Sequence, residues 1–315
     1  MNAEELNQDE LLKKYEKIVD EICSMEGSLI VHYTSPEGLN GIIENRTLRF
    51  TDSKYLNDKS EGRLIYDTLE YCIDYKKYET AFRTDVKEIV IKELSPIEQY
   101  MKQQKDQNYK YRYIKSKQTA FLCCFSFNDD SLAMWNYYTK NQNSIGFNLC
   151  FDKRELMLKM NQKEIAYVTA MPVVYDENSQ NEIIEKILDV FYDMWKRTQK
   201  NKEAVIEYLA DLIDSVKFSF KHSSFKHEEE FRIVLYIYND KVQDLLRNKM
   251  INLQCRNGIF IPYLDVKCVD ENSLKQIMVS PSPQDEIIEN GVRNLLNYYS
   301  FDYVQVAKSK SPSRY

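Results

Sequence analysis

Residues 225–238 read FKHEEEFRIVLYIY. Three consecutive carboxylates, a His and an Arg stand at the mouth of a strongly apolar run. An extended backbone over 228–238 alternates its side chains between two faces. Glu229, Phe231, Ile233 and Leu235 then point one way, and Glu228, Glu230 and Arg232 the other. Two acids beside one guanidinium, backed by a buried sheet, can position a sugar hydroxyl or shift a carboxylate pKa. The same arrangement also serves as a structural Arg–Glu pair at a strand entry. Both readings stand at this point.

Working outward, Gln118–Phe127 (QTAFLCCFSF) is the near-continuous apolar run expected of a central strand. Further strands are expected at 28–33, 47–51, 144–152, 166–175, around 258–261, at 274–280 and at 303–307, with Pro172 marking an edge. Helical spacing of apolar residues predicts helices over 9–25, over 60–93 and over most of 180–222. Between the first two strands, Ser35, Pro36 and Glu37 read as N-cap, first helical residue and dipole partner. His32, Tyr33 and Thr34 therefore lie at a strand-to-helix junction, where backbone N–H groups are natural donors to an anion or a ribose. Asn57, Asp58 and Glu61 are loop ligands or caps, and Ser60 is positioned to cap the helix that follows. Asn128–Ser131 can cap a helix carrying Leu132, Met134, Trp135 and Tyr138. Trp135 and Tyr138 are three apart and share a helical face, as a stacking wall or as core packing.

Strands and helices mix irregularly, without a repeat or a clear linker. The expected fold is α+β, a mixed central β-sheet with flanking helices. An N-terminal helix (1–27) precedes a single α+β domain (28–315), with helical insertions at about 60–117 and 178–222.

A net charge of −6 excludes a bulk basic footprint for duplex nucleic acid. A local basic cluster remains in Lys110, Arg112, Lys115 and Lys117, interleaved with Tyr109, Tyr111 and Tyr113. Seven Cys without a CxxC pair, and three His, argue against a zinc site and for reduced thiols of a cytoplasmic protein. The polar, acidic start is no signal peptide, and no apolar run approaches the ~20 residues of a membrane span. No metal and no membrane partner are expected. Phosphate-binding glycine loops and the GxSxG and HExxH signatures are absent.

Three motifs carry a resemblance: LIVHYTSPEGLNGIIENRTLRFTDSKYLNDKSEG, CFSFNDDSLAMWNYYTKNQNSIGFNLCFD and FKHEEEFRIVLY. In this order they resemble a widespread bacterial family, domain of unknown function 2971, over most of residues 28–306. The strand ending in His-Tyr-Thr, with the helix and strand after it, also resembles the start of ADP-ribosyltransferase-like domains. That second resemblance implies NAD as substrate, with no metal. It implies His32 at the NAD ribose and Tyr138 or Trp135 stacked on nicotinamide. Glu230 or Glu228 would bind the 2′-hydroxyl and stabilise an oxocarbenium-like centre, and Arg232 would orient that Glu or hold a phosphate.

Three functions follow. The first is an NAD-consuming ADP-ribosyltransferase-like enzyme, a bacterial toxin or anti-phage effector with a protein or nucleic-acid acceptor. It expects His32, Glu230 and Tyr138 to converge on one pocket. The second is a non-catalytic module that binds a nucleotide or a protein. The third is a Mg-dependent nuclease or hydrolase, using oxygens from Asp58, Glu61, Asp129, Asp130, Glu228 and Glu230.

Overall fold

The computed structural model describes residues 13, 17, 29–56, 62–94, 118–138, 145–160, 167–198, 201–282 and 284–311. Of the expected first helix, only Lys13 and Lys17 fall within this set, both helical. Asn57, Asp58, Ser60, Glu61 and the basic–tyrosine cluster of 109–117 lie outside it.

The fold is α+β, with a mixed sheet and flanking helices. The described residues fall into two compact units. One takes the described parts of Met1–Ser24, Asn57–Lys117 and Met171–Ser223; the other takes those of Met25–Leu56, Gln118–Ala170 and Ser224–Tyr315. The segments expected as helical insertions belong to the first unit.

The first unit is built from α2 (Leu64–Tyr75), α3 (Thr80–Leu94), α6 (Glu177–Arg197) and α7 (Lys202–Val216). The apolar stripes anticipated from spacing, including Leu188, Phe191, Trp195, Ile206, Leu209, Leu212 and Ile213, close onto one core. Asp176 starts α6 by accepting from the Ser179 amide at 2.9 Å.

The second unit carries the sheet. The strands are β1 (Leu29–Thr34), β2 (Thr47–Asp52), β3 (Gln118–Ser126), β4 (Phe147–Asp152), β5 (Tyr167–Pro172, whose last two residues are counted with the first unit), β6 (Glu230–Tyr238), β7 (Asn252–Arg256), β8 (Ile259–Lys267), β9 (Leu274–Val279) and β10 (Gln305–Lys308). Their order is β10-β9-β4-β1-β3-β2-β8-β7, with β6 also on β3 and β5 on β6. β10 joins β9 in parallel, whereas β1, β2 and β6 all join β3 antiparallel. Helices α1 (Pro36–Asn45), α4 (Leu132–Tyr138), α5 (Lys153–Met160), α8 (Asn239–Arg247) and α9 (Asp285–Tyr298) complete this unit.

β3 organises the sheet, as its apolar run implies. β6 fills one edge along its whole length, from Gln118↔Tyr238 to Ser126↔Glu230. The other edge is shared. β1 bridges it at Val31↔Ser126, and β2 bridges it at Thr51↔Leu122 and Asp52↔Phe121. β2 otherwise pairs with β8, and β1 with β4. The first two strands thus part company against β3, forming a fork whose inner residues include His32.

One sheet face bears the main core. Ile30, Phe125, Leu149, Phe151, Phe231 and Ile233 line it, and α1 adds Leu39, Ile42 and Ile43. The opposite face holds a smaller cluster of Val31, Tyr33, Cys150, Met278 and Trp135.

The start of α1 behaves as its sequence requires. Ser35 accepts from the Gly38 amide at 3.2 Å and Pro36 occupies the first turn. Gly38 is needed for space, because a Cβ there would lie 2.0 Å from Thr34 Oγ1.

Two expectations are corrected. The strand expected from residue 228 begins at Glu230. Glu228 ends a 3₁₀ segment (Ser223–Glu228), and Glu229 takes a left-handed backbone at φ +42°. Glu228 therefore does not share the β6 face of Glu230 and Arg232. The region around Gly258 is a hairpin rather than one strand. Asn257 and Gly258 both have positive φ, the requirement of a tight two-residue turn, and they fold β7 onto β8.

Candidate functional site

Glu230 and Arg232 stand two apart on β6 and so share a face. The guanidinium forks onto the carboxylate, with Nε to Oε1 and Nη2 to Oε2 both at 2.9 Å. The Arg side chain is 0% exposed and the Glu 5%. A planar bidentate pair of this kind combines charge with directional hydrogen bonds.

Register places the remaining residues. Val31 pairs with Ser126 and Ser126 with Glu230, so these three form one row on one face. His32, one residue on, belongs to the other face. Its ring sits 5.6 Å from Phe125, which lies 6.3 Å from Phe231. His32 and Glu230 are therefore brought to neighbouring rows across β3 but to opposite faces of the sheet.

His32 is half-buried on the floor of the fork. Its Nδ1 contacts the Cys124 carbonyl at 2.9 Å. A carbonyl only accepts, so Nδ1 carries the proton and Nε2 presents a lone pair. Burial holds the imidazole below its ordinary pKa, outweighing the opposing pull of the Cys124 carbonyl. His32 is thus a neutral acceptor with a fixed tautomer.

Tyr33 points to the second face. Its hydroxyl donates to the Asn128 carbonyl at 2.8 Å and accepts from the Ser131 amide at 3.0 Å. Burial pushes this phenol up to about 12. Trp135 packs edge-on against it at 4.7 Å and is 2% exposed. Trp135 is therefore core packing, one of its two expected roles. Tyr138 lies on the same helix, and its side chain is outside the described residues. Thr34 is buried beside Gly38.

The loop between β3 and α4 ties this corner together. The Asn128 side chain donates to Glu229 Oε1 at 2.8 Å, and the Ser126 hydroxyl donates to the Glu228 carbonyl at 2.7 Å. Asp130 accepts from Trp135 Nε1 at 2.7 Å, from the Ser309 hydroxyl at 2.5 Å, and from the Lys310 and Ser311 amides at 2.7 and 3.1 Å. Burial would raise the Asp130 pKa, but these four donors outweigh it and hold the carboxyl below its ordinary value. Among the described residues, no group of three or more His, Cys, Asp or Glu is placed to hold a metal ion.

One residue that spacing did not single out joins the His32 face. Lys153 opens α5 directly after β4, and its Nζ lies 5.9 Å from the centre of the Phe231 ring. Burial lowers its pKa, with Asp152 pulling the other way. The sequence marks it only as a lysine after a strand, because its approach to Phe231 depends on the pairing of four strands. The phenyl ring of Phe127, 39% exposed, packs 5.7 Å from Phe231 at the rim of this aromatic floor.

No helix among the described residues is long and apolar enough to cross a membrane. No curated protein and no solved structure matches the chain. Residues 134–233, which run from the helix bearing Trp135 into the middle of β6, match the family model described as Protein of unknown function (DUF2971).

Proposed function

We propose that the protein binds a nucleotide of the NAD type in the fork between β1 and β2, with His32 Nε2 receiving a ribose hydroxyl. The observation that carries this reading is the fixed neutral tautomer of His32 on the inner face of the fork. An imidazole whose Nδ1–H is already committed offers one directed acceptor, which suits a hydroxyl donor. The half-exposed Phe127 at the rim supplies an apolar surface for a base.

ADP-ribosyl transfer is the further reading implied by the ADP-ribosyltransferase-like resemblance. It needs a carboxylate beside the ribose carbon as nicotinamide departs. Glu230 or Glu228 was the expected group; Glu228 lies before the strand, and both oxygens of Glu230 are engaged by Arg232 on the face opposite His32. This favours binding without cleavage.

The test is calorimetric titration of NAD and ADP-ribose into wild type and His32→Leu, with nicotinamide release followed in parallel. Wild type is expected to bind, and the variant about tenfold more weakly, the worth of one directed hydrogen bond. Absent binding by wild type, or equal binding by the variant, overturns the proposal. Nicotinamide release that Glu230→Gln abolishes would replace binding with catalysis.

A further inference from the structure

Among the described residues the sheet ends at β10, at β5 and at β7, and these ends are not alike. β10 ends in Lys308 and β5 in Pro172. Lysine and proline are common guards against a strand edge pairing with another chain. β7 (NLQCR) has neither, and its one charge, Arg256, stands at the turn. Its only strand neighbour among the described residues is β8. The Asn257–Gly258 turn closes on the pair Arg256↔Ile259. Hydrogen bonding alternates from there, so the peptide groups of Arg256, Gln254 and Asn252 face β8, and those of Cys255 and Leu253 face outward.

Side-chain parity gives this edge an apolar side. Leu264 packs on the main core and shares its face with Pro262 and Phe260, which pair with Leu253 and Cys255. The core face therefore runs out to the edge, where Phe260 is 64% and Leu253 56% exposed. The other face bears Gln254, whose Oε1 accepts from Arg49 Nη1 at 2.9 Å.

We propose that this edge pairs with a second copy of the chain, β7 against β7 and antiparallel about a two-fold axis at Gln254. In that register all five residues pair, and the outward-facing Leu253 meets the outward-facing Cys255 of the second copy. Symmetry repeats the contact, giving four backbone hydrogen bonds. Each apolar row continues across the axis, from Phe260 and Cys255 to Leu253 and Pro262 of the second copy. Gln254 meets its own copy, and an amide, both donor and acceptor, is its own complement. Arg256 stands opposite Asn252, so no like charges oppose each other. A foreign strand would have to match this pattern, whereas a second copy supplies it by symmetry. The contact sits at the low end of interface sizes, about 1,200 Å² in total or less, so a micromolar dimer is expected.

The experiment is sedimentation of the full chain across the micromolar range, for wild type, Leu253→Lys, Cys255→Glu and an equal mixture of the two variants. Wild type is expected to dimerise. Each variant alone is expected to dimerise about tenfold more weakly, since each changed pair occurs twice. The mixture should recover about tenfold, because lysine then faces glutamate at one site and Leu253 faces Cys255 at the other. Wild type that stays monomeric overturns the proposal. So does dimerisation untouched by either variant, which puts the contact elsewhere, and so does a mixture no tighter than the variants, which refutes the register. Hydrogen exchange on wild type needs no variant. The Leu253 and Cys255 amides should gain protection as concentration rises, and protection indifferent to concentration overturns the pairing.

Discussion

Glu230→Gln tests whether the opening acid cluster is a structural pair. The substitution preserves shape and one acceptor oxygen but removes the charge opposite Arg232. Arg232 is 0% exposed, so its guanidinium is then buried without its bidentate carboxylate. Breaking a buried pair from one side costs about 3–5 kcal/mol, and the retained oxygen puts the expectation near the lower end. With a slope of about 2 kcal/mol per molar urea, the midpoint should fall by about 1.5 M. Each unit contains one of the two tryptophans, Trp135 and Trp195. In a Trp195→Phe background, Trp135 fluorescence reports the unit that holds the pair. The cycle with Arg232→Met should give a coupling of about 2 kcal/mol or more. A cost below about 1 kcal/mol, or single costs that add within about 0.5 kcal/mol, would refute the idea that these groups stabilise each other.

Two further substitutions probe the frame around the site. Gly38→Ala should destabilise by about 1–3 kcal/mol in urea unfolding, because its Cβ would press on Thr34 Oγ1 at 2.0 Å. Adding Thr34→Ala should recover most of that loss, and a neutral Gly38→Ala would show that the strand-to-helix corner yields. Asp130→Asn sets an amide N–H₂ against a donor whichever way it turns, the Lys310 and Ser311 amides on one side or the Trp135 Nε1–H on the other, and removes the charge that both sides now donate to. Exchange of those two amides should quicken at least tenfold, a local opening of about 1.4 kcal/mol or more. The folded pKa of Asp130 lies below its ordinary value of 3.8, so its contribution is complete above that pH and is lost as pH falls below it. Protection of the two amides that persisted unchanged through acid would contradict this linkage.

The fold class was legible because its signals are local. The run QTAFLCCFSF is apolar over most of its length and becomes the strand with three partners. Ser35-Pro36-Glu37 places a helix start to the residue. The misplaced onset of β6 also has a local cause. Alternation assigns faces only inside a strand, and the left-handed Glu229 stops the pattern one residue after Glu228. The Asn257–Gly258 turn was readable from its dipeptide, since Asn-Gly between apolar runs is a strong short-range hairpin signal.

The site was less legible for a different reason. Whether His32 and Glu230 meet depends on two pairings, Val31↔Ser126 and Ser126↔Glu230, each between segments about a hundred residues apart in the chain. A slip of one residue in either would turn one side chain to the other face and bring the imidazole and the carboxylate together. Nothing local to HYT or EEE encodes that parity. It is fixed by the apolar sets of the strands, which must all face one core: Ile30 on β1, Phe125 on β3, and Phe231 and Ile233 on β6. Burying Phe125 and Phe231 on the core side commits Ser126 and Glu230 to the other side, and burying Ile30 commits His32 to the core side with it. The same packing that hides Arg232 with its carboxylate therefore leaves His32 among phenylalanines and brings Lys153 over Phe231. Strand packing thus gives the Glu230 carboxylate to Arg232 on one face and leaves His32, with its Nδ1–H on the Cys124 carbonyl, on the other.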